Sequence, residues 1–117
     1  MSTTHSTIVL ALGTGPTDGA SVAALRLADA AVQRGHEVTV YAYGEAVRLG
    51  ADGCPTAEYV DRLLHRDHRD DRPGSATWIV DGQDPRTTTQ IAGVIRGDGS
   101  DLWRAVRDGD VVLGVTP

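Results

Sequence analysis

Apolar residues along this chain follow two rhythms, short unbroken runs and stretches that recur at helical spacing. Thr7-Ile8-Val9-Leu10-Ala11-Leu12 is of the first kind, as expected of a strand buried on both faces. Residues 19–34 are of the second kind. Val22, Leu25, Ala28, Ala31 and Val32 share one helical face, while Arg26, Asp29 and Gln33 fall elsewhere. Thr17 or Asp18 is placed to cap this helix, and Gly35 sits where a left-handed C-terminal glycine belongs. Val38 to Tyr43 forms the next apolar run. Strand, helix and strand joined in this way predict a right-handed βαβ unit and a parallel sheet.

Glu45 to Leu49 reads as a short helix ending at Gly50, and residues 51–55 as a loop. Thr56 is a candidate cap for a second amphipathic helix reaching about His65, with Tyr59, Val60, Leu63 and Leu64 on its apolar face. The charged run from Arg66 to Arg72, closed by Pro73-Gly74, reads as a solvated loop. Ala76 to Val80 is the third strand. Beyond it, Pro85 suits the first turn of a helix over 84–90, and Ile91 to Ile95 makes a short fourth strand. Ser100 is placed to cap a helix over 101–107, with Asp101 in its first turn, and Val111 to Val115 is the last strand. The alternation predicts one α/β domain over 7–117, a three-layer sandwich on a mostly parallel sheet of four to five strands. Residues 1–6 are expected to form a flexible tail.

Composition narrows the chemistry. The chain has 117 residues, enough for one modest core. Its net charge is −5, and its Arg residues are interleaved with Asp, which argues against a nucleic-acid surface. No lysine is present, so Schiff-base catalysis and lysine-assisted phosphate transfer are excluded for this chain. The single cysteine rules out an intramolecular disulfide and fits a reducing, cytoplasmic setting. Apolar runs are strand-length and no secretory signal is visible, so no membrane association is expected.

Four places offer candidate chemistry. Asp81 and Asp84, in Asp81-Gly82-Gln83-Asp84, lie beyond a strand end, where parallel α/β proteins hold ligands. A close carboxylate pair there supplies acid/base chemistry if one pKa is raised, with Arg86 as an anion clamp. The simpler alternative is a turn with Asp84 capping ahead of Pro85. The loop Gly13-Thr14-Gly15-Pro16-Thr17-Asp18-Gly19 is glycine-rich but lacks the Gly-Lys-Ser/Thr ending of a phosphate loop. Asp18 also stands where the third glycine of a dinucleotide fingerprint belongs, leaving Thr14 and Thr17 as contacts for a small ligand. Cys54, between Gly53 and Pro55, is a candidate exposed thiol just ahead of a helix. His65 and His68 have helical spacing, but Arg66, Arg69 and Arg72 oppose a bound cation, so no metal or cofactor is expected. Trp78 and Trp103 read as core or interface residues.

Three segments resemble the DsrE/DsrF-like family of small sulfur-relay proteins, in order and over nearly the whole chain. They are Leu25-Arg26-Leu27-Ala28 with Arg34-Gly35-His36-Glu37-Val38-Thr39-Val40, then Tyr43-Gly44-Glu45-Ala46-Val47, then Gly93-Val94-Ile95 with Ser100-Asp101-Leu102 and Asp110-Val111-Val112. Catalytic members of that family end the third strand with a cysteine, often Cys-x-x-Cys followed by Ala-Arg-Gly. Laid onto this chain, those cysteine positions are Asp81 and Asp84, and Thr88-Thr89 replace the Arg-Gly. The resemblance therefore implies a non-catalytic subunit or binding module, assembled as a trimer or hexamer or with a related subunit. The alternatives are a sulfur carrier using Cys54, and an enzyme with carboxylate chemistry at Asp81 and Asp84.

Overall fold

A computed structural model describes residues 6–65 and 74–116. The tail Met1–His5 and the charged run 66–72, including His68, lie outside the described residues. In chain order the elements are β1 (Thr7–Leu12), α1 (Gly19–Gln33), β2 (Glu37–Ala42) and a 3-10 turn (Gly44–Arg48). Then come α2 (Ala57–Leu64), β3 (Ser75–Asp81), β4 (Ile95–Gly97), α3 (Gly99–Asp108) and β5 (Val111–Val115). The five strands form one sheet in the order β4-β3-β2-β1-β5, and every neighbouring pair is parallel.

This order dictates where the helices lie. From β1 to β4 the chain steps outward in one direction, and from β4 to β5 it returns past β1 to the opposite edge. Right-handed crossovers therefore put α1 and α2 on one face and α3 on the other. Ile8, Leu10 and Leu12 of β1, Val38, Val40 and Ala42 of β2, and Trp78 and Val80 of β3 join Leu25, Val32, Val60 and Leu63 in one core. Each large side chain fully buried there contributes about 1.5–3 kcal/mol. The other sheet face carries Thr7, Thr39, Thr77 and Ile79, which with α3 residues Asp101 and Arg104 line a shallow cleft of about 270 Å³. No residue of α3 is fully buried. The two faces are thus unequal.

Local signals fixed most elements, with corrections. Asp18 rather than Thr17 caps α1, accepting from Ala20 N at 2.9 Å, and Gly35 ends the helix at φ 88°. Thr56 does not cap α2; its hydroxyl donates instead to Leu49 O at 2.8 Å. Asp98, not Ser100, caps α3, in a reciprocal box with Asp101. Residues 84–90 form no helix: turns over 82–86, with Asp84 N donating to Asp81 O and Thr87 N to Asp84 O, lead through irregular backbone to an isolated bridge between Gln90 and Ala51. The fourth strand is Ile95–Gly97 rather than 91–95. The apolar face of α2 is covered, since Val60 and Leu63 are buried and Tyr59 and Leu64 pack on the core.

Candidate functional site

Three loops meet at the C-terminal end of the sheet, beyond β1, β2 and β3. This is where a parallel α/β sheet places its crevice, and β1 is also the strand at which the order reverses. Two glycines allow the loops to meet. A Cβ on Gly13 would lie 2.7 Å from the Tyr43 ring, so the β1 loop packs flat beneath that ring. Gly44 has φ 57°, and a Cβ there would approach both Gly13 O and Arg86 Nη2.

Glu45 joins the loops electrostatically. Its Oε1 accepts from Arg86 Nη1 at 3.1 Å, and its Oε2 lies 3.3 Å from Arg48 Nη1. Arg86 also grips both carboxylate oxygens of Asp84, with Nε to Oδ1 and Nη2 to Oδ2 each at 3.0 Å. The Arg86 main-chain N–H donates to Asp84 Oδ1 as well, at 2.8 Å. These bonds, the side-chain ones first, hold the Asp84 carboxyl below its ordinary range, and the same pairing raises the Arg86 guanidinium. Asp84 is therefore biased toward its charged form, the opposite of what a general acid needs. Asp81 closes the turn, its Oδ1 accepting from Gln83 N at 3.0 Å and its main-chain oxygen from the Thr87 hydroxyl at 2.7 Å.

Alongside this network the loop 13–18, Glu45 and Arg48 line a cleft of about 430 Å³. Thr14 is buried and its hydroxyl bonds that of Ser21, which pins the loop to α1. Thr17 is exposed at the rim. The carboxylate of Asp18 occupies the N-terminus of α1, where a phosphate would otherwise be received. The cleft thus holds Asp18 and Glu45 against Arg48, a mixed charge set better matched to a small polar group than to a polyanion.

On the other side of β2, the buried Tyr41 ring stacks on Tyr43 with centroids 6.4 Å apart. Burial first, and then the charges of Asp81, Asp98 and Asp101, raise its phenol above the usual value. Cys54 belongs to neither place. It is half-buried, with Sγ 3.1 Å from the Thr56 hydroxyl, and it does not line the cleft.

The candidates read from sequence therefore separate. Asp84 and Arg86 pair with each other, Thr14 and Thr17 belong to the neighbouring cleft, and Glu45 touches both. Cys54 stands apart. Sequence reasoning did not single out Glu45, Arg48 or Tyr41; only Glu45 had a local cue, following the turn glycine Gly44.

The five-stranded all-parallel sheet flanked by helices matches a DsrE-like α/β fold. The crystal structure of the YchN protein from E. coli shares it with a TM-score of 0.76, covering 96% of this chain and 100% of that one at 18% sequence identity. No family model matches the sequence, and no curated protein matches it. No helix among the described residues is long and apolar enough to cross a membrane.

Proposed function

We propose that this chain is a non-catalytic DsrE-like subunit, a module that binds partners in a sulfur-relay-type or biosynthetic pathway. The observation that carries the reading is Asp81. At the end of β3, where the resemblance puts a thiol, stands a carboxylate tied into a turn. Sulfane sulfur is taken up by a thiolate, and a carboxylate has no such nucleophilicity. The neighbouring Asp84 is committed to Arg86, so the loop is built as a scaffold rather than as an acid/base site. Assembly with copies of itself or with a thiol-bearing relative gives such a scaffold a role. Trp103, 72% exposed on α3, supports this part of the reading, because large exposed aromatics mark contact surfaces.

Treatment with a persulfide donor followed by intact-mass spectrometry, with sedimentation on the same sample, tests the proposal. The expected result is no stoichiometric sulfur adduct and a mass of more than one chain. A single-chain species carrying one sulfur on Cys54 would replace the scaffold with a carrier.

A further inference from the structure

On the α3 side, the sheet ends in carboxylates gathered around a buried phenol. Tyr41 pairs with Ile79 in register, and Asp81 follows Ile79 by two residues, so all three side chains leave the sheet towards α3. Asp81 pairs in turn with Gly97 of β4, where a Cβ would run into the Asp101 carboxylate. Asp98 is the next residue along. The bonds these groups make leave their charge uncompensated. Asp81 accepts from Gln83 N at 3.0 Å, and Asp98 from the main-chain N–H groups of Ser100 and Asp101. Asp101 faces Arg104 at 3.5 Å, a loose pair with the Arg104 side chain 65% exposed. Neither Asp81 nor Asp98 has a cation partner among the described residues. Tyr41 is only 5% exposed, yet its hydroxyl makes no hydrogen bond among the described residues, whereas a buried phenol usually finds a partner. Burial first, and then the charges of Asp81, Asp98 and Asp101, keep its proton on, so it meets the carboxylates as a neutral group.

We propose that this end of the sheet receives the guanidinium of an arginine on a partner protein, its N–H groups donating to Asp81, Asp98 and the Tyr41 oxygen. This rests on the partner-binding reading above and names the chemistry of the contact. Charge complementarity selects a cation, and the net charge of −5 draws one in. Spacing selects the kind of cation. No three metal-ligating side chains among the described residues come close enough to hold a metal ion, so the carboxylates are set apart for something larger. A guanidinium is a planar fork of five donors and can reach carboxylates on two elements at once, where an ammonium is a single point of charge. Tyr43, partly exposed and stacked on Tyr41, offers aromatic surface beside it, which a guanidinium also favours.

Two-dimensional NMR of the full chain, titrated with a Gly-Arg-Gly peptide blocked at both ends, tests the site. Saturable shifts are expected at the amides of Gln83, Gly97 and Asp98. Asp81→Asn should weaken binding roughly threefold, the size expected for one partly exposed charge. The asparagine keeps an oxygen to accept from Gln83 N, so the turn survives the change. Tyr41→Phe removes one oxygen and no charge, and should weaken binding as well if Asp81→Asn fails to fold. Glu58→Gln, on α2 across the sheet, should leave the affinity unchanged. The absence of saturable shifts overturns the proposal, as does an equal loss from Glu58→Gln, which would mean attraction to the acidic surface in general. Methylguanidinium binding as tightly as the peptide would assign the site to a free small cation, and a Gly-Lys-Gly peptide binding equally well would remove the preference for arginine; either overturns it. Failure here and failure of the scaffold reading are separable. A sulfur adduct on Cys54 with arginine binding intact sinks the scaffold and spares the site, whereas no adduct and no arginine binding does the reverse.

Discussion

Arg86 reaches across 41 positions of sequence to Glu45 while holding Asp84 two residues away, and so ties the loop after β3 to the turn after β2. The Asp84 side chain keeps only 8% of its exposure, whereas that of Arg86 keeps 40%. Asp84 has a folded pKa below its unfolded value near 3.8. Its contribution to stability is therefore fully present above about pH 4 and lost as pH falls through the lowered folded value. Asp84→Asn should reduce stability at neutral pH, and the difference from wild type should shrink towards zero in acid. Urea denaturation from pH 2.5 to pH 7 checks this. A gap that is constant with pH would mean that the ion pair contributes nothing.

At the crevice Gly13 leaves no room for a side chain beneath the Tyr43 ring. The Cβ of Gly13→Ala would meet ring atoms at 2.7 and 2.8 Å, so the ring or the loop must move. Overpacking of this kind costs about 1–3 kcal/mol. Tyr43→Leu removes the obstructing ring, and the alanine should cost less in that background. A double-mutant cycle by chemical denaturation reads the coupling. Additive losses would show that the two residues do not meet.

Much of this architecture was legible because parallel strands buried on both faces are written as unbroken apolar runs, as at Thr7–Leu12 and Ala76–Val80. The fourth strand misled for a physical reason. Residues 91–95 are apolar, but Gly93 takes φ 97° in a turn from Ile91 to Val94, and extended backbone begins only at Ile95. The cap of α3 was misplaced because Ser100 and Asp98 are both good caps, and only the reciprocal bond with Asp101 decides between them. At the crevice, the Asp84–Arg86 pair lies within reach of a local reading. Its link to Glu45 does not, since no spacing rule connects residues so far apart in sequence.

Thr56 was expected to cap a helix and instead ties two turns together. Its hydroxyl donates to Leu49 O and lies beside Cys54 Sγ. Thr56→Val keeps the shape and leaves a carbonyl short of a partner, for an expected loss of about 1 kcal/mol. Cys54→Ser keeps a polar atom beside Thr56 and should cost less. Thermal unfolding of both variants checks the order; an unchanged Thr56→Val would mean that water replaces the hydroxyl at Leu49 without loss.

Tyr41 reports on the acidic end of β3. Burial raises its phenol above the ordinary value of 10.0, and the charges of Asp81, Asp98 and Asp101 add to that shift. A folded pKa above the unfolded one means that the folded state holds the phenolic proton more tightly. The associated stability is complete below about pH 10 and is lost as pH rises through the raised value. Tyr41→Phe should therefore flatten the alkaline fall in stability. Asp81→Asn removes the one of the three neighbouring charges that acts most strongly on Tyr41 and should move its ionisation down towards 10.0. Ultraviolet titration of tyrosinate, with the Tyr41→Phe spectrum subtracted, isolates this one group. If Asp81→Asn leaves its midpoint unmoved, the carboxylate at the end of β3 does not act on Tyr41, and the placement of Asp81 beside it fails.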